Sequence, residues 1–339
     1  MLNINKKKFV GVISPSAAAP NKYEYIFDYG VDKISEILEM KVKELPHTRS
    51  PKELIYNHPE IRAKDIMDAF IDDDISIIIT SIGGNDSIRV LEYLDIDIIK
   101  KNSKPIMGFS DSTTLLTYLN QHGIPTLHGP SIMAGFSEPE PINEEFKKHV
   151  RDFILGDSEE YEYKNYTFWT DEELDINNLL FYKKNKKKHI NKGWKILQSK
   201  NKILEGEIYG GNIEVLEMLK GTRFMEDINF LKDKVLILET SESKPPVWYI
   251  HYALRSMGAR GVFKQVKGIL FGRFSKYSQK EKDLIEQKIM LVMNEYSAGH
   301  LTIITNLDFG HTQPQWILPL GKKINIDIKN KTIKIKKDI

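Results

Sequence analysis

The chain has 339 residues, 49 of them lysine or arginine against 47 aspartate or glutamate, and no cysteine. This length predicts two domains, and a net charge of +2 leaves no electrostatic footprint for nucleic acid. Disulfides, a thiol nucleophile and cysteine-ligated zinc are excluded.

The opening MLNINKKKFVGVI carries lysines but no signal-type apolar core. No apolar run approaches the ~20 residues of a bilayer span. A cytoplasmic protein without a membrane partner is expected. Residues 1–155 then alternate apolar runs rich in Ile and Val (9–13, 75–82, 105–109, 124–127) with helix-period segments (25–40, 60–71, 87–100, 112–121). That alternation predicts an α/β fold whose N-terminal domain is an open parallel sheet flanked by helices, Rossmann- or flavodoxin-like. Residues 156–205 are polar, aromatic and lysine-rich, and read as a long connection able to fold over a site. The run KKNKKK at 183–188 reads as a solvated loop. From 206 to 339 alternation resumes and predicts a C-terminal α/β domain with a mixed or barrel-like sheet. Its last segment, KKINIDIKNKTIKIKK, alternates strictly and predicts a β-hairpin.

The segment KPIMGFSDSTTLL at 104–116 proposes a chemistry. A short strand, a glycine, Ser110 at a sharp turn and a helix opening at Asp111 form the layout of a nucleophile elbow. Such a serine stands at the C-terminal edge of a sheet, beside the free N–H groups of a helix start. Strand-to-helix turns are common, however, and Ser, Asp and Thr are ordinary helix caps. The nucleophile needs a base, an orienter for that base and an oxyanion donor.

Two of the nine histidines, His128 and His311, follow predicted strands. His311 stands in DFGHTQPQWILPLG, between a glycine and two prolines. For the orienting carboxylate, Glu239 ends the apolar strand KVLIL, while Glu242 and Asp308 compete with it. The loop SIGGND at 81–86 offers backbone N–H groups. It lacks a phosphate-loop pattern, but one N–H from it with that of Asp111 would make a two-donor oxyanion hole.

The motifs GGND (83–86), MGFSDST (107–113), GEIYGGN (206–212), LILET (236–240), KGILFGRF (267–274) and DFGHTQPQWILPLG (308–321) together resemble the LD-carboxypeptidase family of serine peptidases. The GGND and FGHT-x-P forms resemble most closely its microcin C immunity branch. The resemblance implies a triad of Ser110 as nucleophile, His311 as base and Glu239 as orienter, spread over two domains. It implies an oxyanion hole of the Gly84 (or Gly83) and Asp111 N–H groups, and a homodimer. Members of this branch stack a loop aromatic on the nucleobase. Phe168, Trp169 and Trp194 are available here, whereas DINN at 175–178 offers none. Gly83, Asn85 and Asn212 are further candidate substrate contacts, and Arg89, Arg255 or Asn212 could hold a substrate carboxylate.

The expected function is a serine hydrolase cleaving a small amide through an acyl-enzyme, with no metal or organic cofactor. Its substrate would be an aminoacyl-nucleotide antibiotic such as processed microcin C, giving self-immunity or detoxification. The alternatives are a muropeptide LD-carboxypeptidase of cell-wall recycling and a non-catalytic small-ligand binding module.

Overall fold

The computed structural model describes residues 4, 8–138, 143–173, 178–180, 183 and 186–337. Strands β1 (Phe9–Ile13), β2 (Lys41–Glu44), β3 (Ile75–Thr80), β4 (Ile106–Gly108) and β5 (Thr126–His128) lie parallel, in the order β5-β4-β3-β1-β2. β3 reads ISIIIT and is buried throughout, as a central strand covered on both faces must be. The order reverses between β1 and β3. The loops that leave these strands, residues 14–17 and 81–86, therefore open a crevice at the carboxyl edge.

The second sheet is mixed. It contains β6 (Glu160–Tyr163), β9 (Lys195–Gln198), β10 (Ile203–Asn212), β11 (Val235–Glu239), β12 (Gly268–Gly272), β13 (Thr302–Leu307), β15 (Lys323–Asp327) and β16 (Thr332–Lys336). Their order is β6-β16-β15-β10-β11-β12-β13-β9, with β10 to β13 parallel and the flanking strands antiparallel. β7 (Phe168–Trp169) and β8 (His189–Ile190) form a separate ribbon. β14 (Leu318–Leu320), late in the chain, crosses back and pairs antiparallel with β5 of the first sheet.

Several expectations are refined. The helical segment expected at 87–100 divides into a 3₁₀ turn, Ser87–Tyr93, and a helix, Ile96–Lys101. Asp95 causes the break by capping the second helix through the N–H groups of Asp97 and Ile98. The connecting region is more than a link, since β6 and β9 extend the second sheet. The basic run is not wholly solvated either: Lys186 is buried in an ion pair with Glu138 at 2.5 Å.

One apolar core runs from Val10, Phe27 and Ile78 through to Ile237, Ile304 and Ile335, and so joins the two sheets. A smaller core under Leu254, Phe263 and Ile289 backs the other face of the second sheet. Among the described residues no helix is long and apolar enough to cross a membrane.

Candidate active site

Ser110 follows β4 after one extended residue, Phe109, and opens a one-turn 3₁₀ helix that runs into the helix Thr113–Gln121. Its φ is +59°, a left-handed conformation that costs a non-glycine residue on the order of 1–3 kcal/mol. The turn is held from three sides. The Asp111 carboxylate, fully buried, accepts from the Ser16 hydroxyl at 2.5 Å and from the N–H groups of Asp86 and Ser87 at 3.0 and 2.8 Å. The Ser87 hydroxyl donates to the Asp111 carbonyl at 2.6 Å. Asp86 is in turn gripped by the buried Arg62 through two bonds, at 3.0 and 3.1 Å.

This network sets the Gly-Gly loop against the serine. A Cβ on Gly83 would lie 2.9 Å from Ser110 Cβ and 3.0 Å from its Oγ, so only glycine lets the loop come this close. Among the described residues, the N–H groups of Gly83 and Gly84 donate to no other group. Gly84 is exposed and lines the cleft, whereas Asn85 is exposed but not among the cleft's lining residues.

Glu239 ends β11 and is fully buried. His311 Nδ1 lies 2.5 Å from Glu239 Oε2, so of the candidate carboxylates it is Glu239 that bonds this ring nitrogen. Gly310, at φ +91°, permits the approach, because a Cβ there would stand 2.9 Å from the same oxygen. Asn212 faces Glu239 across the β10–β11 register. Burial alone would push the Glu239 carboxyl up, but the His311 ring, His128 and the Asn212 amide hold it below the usual range. Burial likewise lowers His311, yet the Glu239 charge and hydrogen bond, with Glu242 and Glu214 beyond, raise its pKa to about 9.

The other contenders are placed elsewhere. His128 is fully buried between the rings of Phe109 and Phe309, and burial lowers its pKa to about 4. Asp308 is committed to the buried Arg273 at 2.5 Å and to Asn191 at 3.0 Å. Glu242 Oε2 approaches the other ring nitrogen, His311 Nε2, at 3.2 Å. The sequence ranked it only as a competing orienter and gave no signal for that position.

Ser110, His311 and Phe109 open into one cleft of about 450 Å³. One wall is largely apolar, with Tyr23, Ile26, Ile82 and Met133; the other carries Thr170, Asp171, Glu172, Glu173 and Gln313. The connecting region reaches this site by a two-bond bridge, in which the Thr170 and Gln313 N–H groups each donate to the other's carbonyl at 2.8 Å.

Several expected substrate contacts are engaged in structure. Asn212 is buried and caps the helix Ile213–Leu219 through the Val215 N–H. Trp194 lies in the core. Trp169 sits next to the wall residue Thr170 and stacks on His189, with ring centroids 4.4 Å apart. Arg89 is bonded to Asp86 and the Tyr56 carbonyl, and Arg255 to Glu295. Phe168 is exposed on β7. Residues 175–177 of DINN lie outside the described residues. Sequence reasoning missed Ser16 and Arg62. The position of residue 16, just after β1 at the reversal of strand order, could have singled it out; a single buried arginine leaves no such trace.

Residues 10–129 match the LD-carboxypeptidase N-terminal domain and residues 205–326 the LD-carboxypeptidase C-terminal domain. The Microcin C7 self-immunity protein MccF of Escherichia coli is 28% identical over 81% of this chain and 77% of its own length. The murein tetrapeptide carboxypeptidase of Pseudomonas aeruginosa is 24% identical over 78% of this chain and 76% of its own. The solved structure of MccF with aspartyl sulfamoyl adenosine has a TM-score of 0.86 at 25% identity, covering 98% of this chain and 97% of that one. A MccF-like protein from Streptococcus pneumoniae, solved with AMP, has a TM-score of 0.85 at 26% identity and covers 98% and 99%. The chain belongs to the LD-carboxypeptidase family of peptidases.

Proposed function

We propose that this protein is a serine hydrolase that cleaves the acyl amide of an aminoacyl nucleotide. The observation that carries this reading is the pairing of His311 Nδ1 with Glu239, in the cleft that also holds the strained Ser110. Neutral His311 takes the Ser110 proton on Nε2 as Oγ bonds to the carbonyl carbon. The oxyanion rests on the N–H groups of Asp111 and of Gly84 or Gly83, each donor worth about 10²–10³ in rate. The carbon–nitrogen bond then breaks and His311 returns the proton to the leaving nitrogen. Water, activated by the same ring, hydrolyses the ester and regenerates Ser110. Glu239 fixes the tautomer throughout and stabilises the imidazolium.

The substrate assignment rests on the cleft. Its apolar side suits a flat base, and relatives were solved with aminoacyl sulfamoyl nucleosides and AMP. Among the described residues no lysine or arginine lines it to hold the terminal carboxylate of a muropeptide. We further take the enzyme to act in the cytoplasm, and as a homodimer as the family resemblance implies; sedimentation velocity measures the assembly. To test the chemistry, aspartyl sulfamoyl adenosine and a muropeptide tetrapeptide are offered separately and the products are weighed by mass spectrometry. Hydrolysis of the first, lost in Ser110→Ala, together with fluorophosphonate labelling of Ser110, supports the reading. Unchanged hydrolysis in Ser110→Ala, or labelling of another serine, overturns it.

A further inference from the structure

Glu242 stands apart from the other carboxylates of the cleft. Glu138 is paired with Lys186, Glu173 with Lys276, Asp171 accepts from the Lys276 N–H, and Glu172 accepts from the Lys187 N–H. Glu242 has no lysine or arginine partner among the described residues. Its side chain is 48% exposed, and its one charged contact is His311 Nε2 at 3.2 Å. That contact lacks hydrogen-bond geometry, so Nε2 is a buried ring nitrogen without a hydrogen-bond partner, on a side chain 7% exposed. Nε2 is also the atom that must receive the Ser110 proton. A carboxylate beside it is beside the scissile carbonyl, where an amino acid carries its α-ammonium one carbon away.

We infer that Glu242 recognises the free α-ammonium of the acyl residue, and that taking up this cation draws it away from His311 Nε2. This rests on the hydrolase reading above and sharpens it: the substrate's acyl group ends in an unblocked amine and is not the interior residue of a peptide. The empty site holds its base against Glu242, and the substrate releases that base on arrival. The charged and titratable groups facing His311 are Glu239 on β11, Glu242 in the loop after it, Glu214 on the helix Ile213–Leu219 and His128 on β5. Of these, Glu242 is the half-exposed one that a ligand can reach.

The experiment separates this inference from the chemistry. Aspartyl sulfamoyl adenosine and its N-acetyl derivative are titrated calorimetrically into Ser110→Ala protein, with and without Glu242→Gln. The free amine binds about 10- to 100-fold tighter when Glu242 is present, the range of a charged hydrogen bond, and the preference collapses in Glu242→Gln. A preference that survives the substitution, or equal binding of both ligands to the parent, overturns the role of Glu242 and leaves the hydrolase reading standing. Turnover by protein with Ser110 intact reports on the hydrolase reading independently. There, Glu242→Gln also moves the pH profile of kcat/KM to lower pH, which a merely structural glutamate would not do.

Discussion

The backbone N–H of Ser87 donates to Asp111 Oδ2 at 2.8 Å and thereby ties the glycine loop to the turn that presents Ser110. Asp111 thus fixes the spacing between the Gly83–Gly84 loop and the Ser110 hydroxyl. Replacing it by alanine strands three buried donors and is expected to lower stability by about 3 kcal/mol. Asp111→Asn keeps one acceptor oxygen and should recover most of that loss. Urea unfolding of both variants checks the difference.

Gly83→Ala tests the approach of the loop directly. The added methyl would meet Ser110 Cβ at 2.9 Å, so loop and serine must move apart. The expected outcome is a fall in kcat of about 10²–10³ with KM little changed and a folded protein by circular dichroism.

Activity should rise with pH. His311 is protonated at neutrality in the empty site, with its pKa raised to about 9, and it must be neutral to accept a proton. kcat/KM is therefore expected to climb through an apparent pKa near about 9. Glu239→Gln should move that midpoint down and cost on the order of 10³–10⁴ in kcat. For stability the sign reverses. The gain from the raised His311 is complete below its unfolded value of 6.5 and is lost as pH rises through about 9.

Lys186→Met removes the buried cation that pairs with Glu138 at 2.5 Å. Breaking such a pair costs about 3–5 kcal/mol. The melting temperature should drop and KM should rise, because Glu138 lines the cleft. The double variant with Glu138→Gln should regain much of the stability.

The strands that carry the site were legible because they are buried on both faces and therefore unbroken apolar runs, as ISIIIT in β3 and VLILE in β11 are. The places of Ser110, Glu239 and His311 at or beyond strand ends were legible because each follows or ends such a run. β2 was not, since KVKE is exposed or half-buried and has no apolar run to announce it. Nor was β14: LPL is three residues long, and its partner β5 lies almost two hundred positions earlier. The choice between His128 and His311 was beyond spacing alone, because it depends on which ring is brought against Glu239, and that is His311, from the loop after β13 of the same sheet. The burial of Lys186 within KKNKKK was not legible for a similar reason, as it is decided by Glu138, 48 positions earlier in the chain.

The return of β14 to β5 has a mechanical consequence. The strand lies just downstream of His311 and bonds that histidine's own loop to the sheet that bears Ser110. Prising the halves apart would unzip that strand and tear a shared core. The two hydrogen bonds between Thr170 and Gln313 are a far weaker fastening on the same cleft. Any widening of the mouth is therefore expected to begin there, with the 170–173 wall lifting from Gln313 and from Lys276, which also holds Asp171 and Glu173, while serine and histidine keep their mutual distance.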